Sequence, residues 1–127
     1  MDRLWLGLGA VFGLTGVIMA ALAAHALPTR VTPAALALVH TAIDMQMWHA
    51  LALIGCAILA RLAPGRRVTL AGIGFALGTI LFCGAVYSLA LAGVALPAMA
   101  PTGGFLIMAG WLCLGSLAFR VGRLSGA

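Results

Sequence analysis

Four apolar stretches run the length of this chain, and its seven arginines stand in the gaps between them or at the two ends. The stretches are residues 4–27, 34–60, 68–94 and 103–119. Each has at least about 17 residues, enough for a helix rising 1.5 Å per residue to cross a hydrocarbon core of about 30 Å. Backbone groups in lipid must be satisfied within the chain. Barrel strands would also alternate polar and apolar residues, which these stretches do not, so all four read as helices. The expected fold is all-α and membrane-integral: a four-helix transmembrane bundle forming one membrane domain over 1–127.

Composition excludes the soluble alternatives. Hydrophobic residues make up 65% of the chain and charged residues 7%, whereas a soluble domain of this size carries about a quarter charged residues. The net charge of +5 comes entirely from arginines that flank the apolar stretches. Topology explains that charge, and no basic face interleaved with aromatics points to nucleic acid. Cys56, Cys83 and Cys113 lie apart within apolar runs, without a CxxC pair, and read as small buried hydrophobes.

Four spans bring both termini to the same side. That side collects Arg3, Arg61, Arg66, Arg67, Arg120 and Arg123, against Arg30 alone on the other. The positive-inside rule therefore places both termini in the cytoplasm of a cell whose inner (plasma) membrane holds the protein. Ala24-His25-Ala26 has the form of a signal-peptide cleavage site, but the stretch before it is longer than the apolar region of a signal peptide.

Small residues four apart let helices approach closely. Gly9 and Gly13 in the first helix, and Gly74 and Gly78 in the third, are the expected packing positions. Gly7-x-Gly9-x3-Gly13 is echoed by Gly72-x-Gly74-x3-Gly78, and both helices are followed by Ala-Leu-Pro, a pattern open to internal duplication or to chance.

Polar residues are few and point to one depth. Asp44 lies 17 residues before Arg61, about 25 Å along a helix. His40 is a turn further out and His49 a little over a turn further in. His25 closes the first helix on the same side, Tyr87 and Ser88 fall at the same boundary, and Thr102 lies in the outer loop with Met99. The candidate polar cluster is therefore His25, His40, Asp44, Gln46, His49, Tyr87 and Thr102. Ionisable residues at membrane depth usually face the bundle interior and mark function. His40, Asp44 and Met47 share one helical face, and Met45, His49 and Cys56 another. Imidazoles with thioethers would suit copper, and facing histidines could hold a haem, but no tight ligand array supports either. A proton- or cation-coupled transporter would have Asp44 as its sole candidate acid. No acyl-enzyme motif surrounds Ser88.

Thr41-Ala42-Ile43-Asp44-Met45-Gln46-Met47-Trp48-His49-Ala50-Leu51-Ala52-Leu53 resembles the signature T-A-x-x-Y-Q-M-x-H-A-L-A-L of the small membrane proteins grouped as domain of unknown function 423, relatives of the eukaryotic transmembrane protein 256. Ala24-His25-Ala26-Leu27 is similar to the family's G-A-H-A-L, the segment Leu81–Tyr87 to its L-F-S-G-S-x-Y, and Ala100-Pro101-Thr102-Gly103-Gly104 to its T-P-x-G-G. Met45 stands where the family has an aromatic, Cys83 and Ala85 where it has serines, and Ala100 where it has threonine, so the serine pair of the family's third helix is missing here. The resemblance implies a four-helix membrane protein, with weight on Gln46, His49, His25 and Tyr87, and implies no reaction. The expected role is non-enzymatic: an accessory or interaction subunit, or a self-associating bundle, with no resident cofactor and with lipid, other membrane subunits or itself as partners. The alternative is a metal, haem or quinone-like ligand at the outer polar pocket.

Overall fold

The computed structural model describes residues 1–119; Arg120 and Arg123 lie outside the described residues. It contains α1 (Asp2–His25), a 3-10 turn (Leu27–Thr29), α2 (Pro33–Leu62), α3 (Arg66–Ala92) and α4 (Met99–Gly115), with no strand among the described residues. The first three helices are long and apolar enough to cross a membrane, and α4 is a shorter apolar helix. This is a helical membrane bundle.

Local chemistry sets the helix ends. The Thr32 hydroxyl accepts from Ala35 N at 3.1 Å, and Pro33 follows as the first residue of α2, where its missing N–H costs nothing. Gly93 closes α3 in the left-handed conformation (φ 68°), with Gly93 N donating to Leu89 O and Val94 N to Ser88 O. Ser88 then donates its hydroxyl to Val94 O, so that residue belongs to a helix end. The fourth helix begins four residues before the expected span, because the chain turns at Pro97 and is helical from Met99. Met99 and Thr102 thus sit in its first turn and not in a loop.

Consecutive helices pack antiparallel, α1 on α2, α2 on α3 and α3 on α4. Trp5 of α1 also lies against Gly72 of α3, and Trp111 of α4 reaches His49 of α2. The helices α2 and α3 are therefore the centre, with α1 and α4 on their flanks. One end of the bundle holds Arg3, Arg61, Arg66 and Arg67. There Arg61 Nε meets Asp2 Oδ2 at 2.7 Å, and Arg67 donates to Ser116 O at 2.8 Å, at the C-terminal end of α4 where a cation is favoured. Arg30 stands at the opposite end.

Two apolar cores stack along the bundle. The one at the basic end is built on Trp5, Leu53, Cys56, Val68, Ala71 and Phe75, the far one on Ala23, Val39, Ile43 and Ala90. Between them lies a polar layer at Gln46, His49 and Thr79, the three buried polar side chains among the described residues. The outer surface is rich in leucine, valine and isoleucine, as lipid contact requires.

Glycine packing departs in part from the spacing. A β-carbon on Gly9 would stand 2.9 Å from Ala50 O, one on Gly74 2.7 Å from Leu106 O, and one on Gly78 2.7 Å from Gly103 O. Gly13, however, has nothing within 4 Å and packs no helix. The seam of α1 instead uses Gly9, Gly16 and Ala23, seven apart and all buried, a coiled-coil period that keeps one narrow face on α2. The echo between the first and third helices is thus not an equivalence in packing, since Gly13 is open where Gly78 abuts backbone.

Candidate functional site

The polar layer is organised by two residues of α2 three positions apart, on one face of the helix. Gln46 Nε2 donates to Phe12 O at 2.9 Å and to Thr15 Oγ1 at 2.7 Å, and Gln46 Oε1 accepts from the Tyr87 hydroxyl at 3.0 Å. Because Phe12 O can only accept, the amide orientation is fixed. Both N–H groups of Gln46 are engaged, and the side chain joins α1, α2 and α3. Thr15 in turn donates to Val11 O at 2.8 Å.

His49, 4% exposed, joins α2 to α4. The Trp111 indole N–H, which can only donate, points at His49 Nε2 at 3.2 Å. That nitrogen must accept, so Nδ1 carries the proton and donates to Met45 O at 2.6 Å. His49 is a neutral imidazole with both nitrogens occupied. Phe75 completes an aromatic group, its ring centroid 5.6 Å from that of His49 and 4.9 Å from that of Trp111. Cys83 Sγ donates to Ala42 O at 3.3 Å and adds a second tie between α2 and α3.

The expected outer cluster does not assemble. Gln46 and Tyr87 come together, and His49 is held apart from them by its own partners. His25, His40, Asp44 and Thr102 are exposed on the outside of the bundle. Thr102 donates back to Ala98 O at 2.7 Å within its own helix. Asp44 forms no ion pair with His40, His25 or Arg30; the ion pairs among the described residues involve Asp2. Spacing along α2 gave the faces only in part: Met45, His49 and Cys56 turn inward and His40 and Asp44 turn out, but Met47, expected beside that exposed pair, packs against Gly16 of α1. Among the described residues no three His, Cys, Asp or Glu side chains are grouped to hold a metal, and His49 has no lone pair left to offer one.

Residues 19–104 match the family described as "Protein of unknown function (DUF423)". The chain belongs to this family. It is 32% identical to the inner membrane protein YgdD of Escherichia coli (96% of this chain, 94% of that protein). It is also 32% identical to the membrane protein YwdK of Bacillus subtilis (88% and 93%), and 34% identical to a membrane protein of Staphylococcus haemolyticus (88% and 92%). No solved structure matches.

Within the family segment, the Gln46–His49 pair is the candidate site. Its partners Thr15, Phe75 and Trp111, and the third buried polar residue, Thr79, stand outside the cluster that sequence reasoning selected. Thr15 and Thr79 were visible as polar residues in apolar helices, a usable signal. Trp111 and Phe75 carried none, because an aromatic residue in a span is ordinary.

Proposed function

We propose that this protein is a non-catalytic membrane subunit that works by self-association through the outward face of α2, in an inner (plasma) membrane with its basic end in the cytoplasm. The observation that carries this reading is Asp44. Its carboxylate is exposed on the lipid side of α2, within a spanning helix, with no ion-pair partner among the described residues. A charged side chain within a span is disfavoured, less so toward the boundary where the count from Arg61 places Asp44, and gains from a partner. His40 one turn away and Trp48, 66% exposed, lie on the same side.

A two-fold arrangement of parallel copies makes that face self-complementary. His40 of one copy pairs with Asp44 of the other, and the two Trp48 rings pack together below them. The buried histidine and glutamine are already used as ties between helices, which favours association over catalysis. The names of the relatives support the location, and the arginine distribution supports the orientation.

Mass photometry of the full chain in lipid nanodiscs tests the reading. The wild type is expected as a dimer, and Asp44→Asn combined with Trp48→Ala as a monomer. A wild type that is monomeric at all concentrations refutes self-association, and a stable complex with a different membrane protein replaces it by the accessory-subunit role. Impermeant maleimide labelling of a cysteine placed at Gly65 or at Thr32, in a cysteine-free background, tests the orientation: labelling of Gly65→Cys from outside the cell overturns it.

A further inference from the structure

The outward face of α2 carries the spacing of a helix-pairing seam. Thr41, Asp44, Trp48, Leu51, Gly55 and Ile58 follow one another at alternating steps of three and four, the period of a left-handed coiled coil. All are exposed except Gly55, where a β-carbon would meet nothing within 4 Å. A cleft of about 250 Å³ opens on this face, lined by Asp44, Met47, Trp48 and Leu51. Residues at i, i+3, i+4 and i+7 are the four that frame the hole for a side chain of a paired helix. Between parallel copies in register, the side chain that fills this hole is Trp48 of the second copy. We propose that acidity on the arginine-poor side of the membrane sets the strength of this pairing through His40 and Asp44, an inference that rests on the self-association proposed above.

The register that seats Trp48 also brings the two Asp44 side chains into one layer across the two-fold axis, where two carboxylates repel. His40, one turn above on the same side, is the group that offsets them. Within one chain His40 and Asp44 form no ion pair, and a basic residue four positions before an acid is the weaker order on a helix. Each histidine is left for Asp44 of the other copy, and the two-fold axis makes two such pairs. An imidazole changes charge between about pH 5 and 8, and a carboxylate is ionised above about pH 4. Both groups are therefore charged together only in a mildly acidic window. Above it the carboxylates face each other alone, and below it the imidazolium groups do. The other charged or titratable groups described at this end are His25, closing α1, and Arg30 after the turn, both exposed. Tyr87 is engaged with Gln46, Cys83 with Ala42 O, and His49 is buried with both nitrogens used.

Fluorescence transfer between full-length copies in lipid vesicles measures the dissociation constant across this pH range. The chain has no lysine, so a dye goes to its amino terminus. The wild type is expected to pair about ten- to thirtyfold more tightly near pH 5.5 than near pH 8.5, as two boundary ion pairs allow, and to weaken again below about pH 4. His40→Gln keeps the carboxylate and Asp44→Asn keeps the imidazole, and both positions are exposed, so neither change disturbs the core. One copy of each variant holds one cross-copy pair that neither homodimer has. Near pH 5.5 this heterodimer is expected to be tighter than both homodimers, and His25→Gln is expected to keep the wild-type profile. A dissociation constant that does not vary with pH, a profile lost in His25→Gln, or a heterodimer no tighter than the homodimers overturns the proposal and leaves self-association standing. Absence of transfer at every pH and protein-to-lipid ratio overturns both.

Discussion

The Gln46–Tyr87 bond is the most direct handle on what holds this bundle together. Gln46→Leu keeps a similar volume and deletes three inter-helix bonds, to Phe12 O, Thr15 Oγ1 and the Tyr87 hydroxyl. Hydrogen bonds between membrane helices average about 0.6 kcal/mol and reach about 1.7 kcal/mol. The losses do not fall equally. Phe12 O still accepts from its own helix, and Thr15 still bonds Val11 O, so both retain a partner. Tyr87 loses the one partner its hydroxyl has. Three average bonds then amount to about 2 kcal/mol for Gln46→Leu. Tyr87→Phe removes one bond and leaves Gln46 Oε1 unmatched, which costs about 1 kcal/mol. The double variant should be less destabilised than the sum, by a coupling of about 0.6–1.7 kcal/mol. Steric-trap unfolding in bicelles measures all four corners of the cycle. A coupling of zero, or a Gln46→Leu protein as stable as the wild type, would refute the placement of this network.

Gly103→Ala is expected to destabilise by about 1–3 kcal/mol, because its β-carbon would stand 2.5 Å from Phe82 N and 2.6 Å from Gly78 O. Gly13→Ala, in open space, should be neutral or gain up to about 1 kcal/mol from helix propensity; equal behaviour of the two variants would contradict the α3–α4 contact. The His49 tautomer is open to nitrogen-15 NMR, which should show a neutral ring protonated on Nδ1. Trp111→Phe keeps an aromatic ring but removes the donor, and should cost about 1 kcal/mol and release the tautomer preference; a wild-type ring protonated on Nε2 would refute the indole bond.

Much of this fold is written in hydropathy. The apolar runs and the proline and glycine punctuation placed four helices to within a few residues, because helix formation in lipid depends on local composition alone. Span ends drifted where a cap decided them, as at Gly93 and at the first turn of α4. The site was half legible. Gln46 and His49 stood out as polar residues in an apolar helix, but whether each met a ligand or a neighbouring helix depended on Trp111 and Thr15, 62 and 31 positions away. Gly13 was misread because spacing of four describes one packing geometry, whereas the small residues of α1 follow spacing of seven.

The sequence by itself determined that this chain lives in a membrane, crosses it with helices, and segregates its arginines to one end, since each of these follows from the transfer energy of consecutive residues. Only the tertiary structure decided which polar residues are inside. His40, Asp44 and His49 lie within ten residues of one helix. A rotation of that helix by half a turn would exchange the exposed pair for the buried one. The rotation is set by where Gly9 lets α1 approach, where Gly78 and Gly103 let α3 and α4 meet, and where Trp111 finds an acceptor. Those contacts join residues far apart in the chain, and no local pattern encodes them.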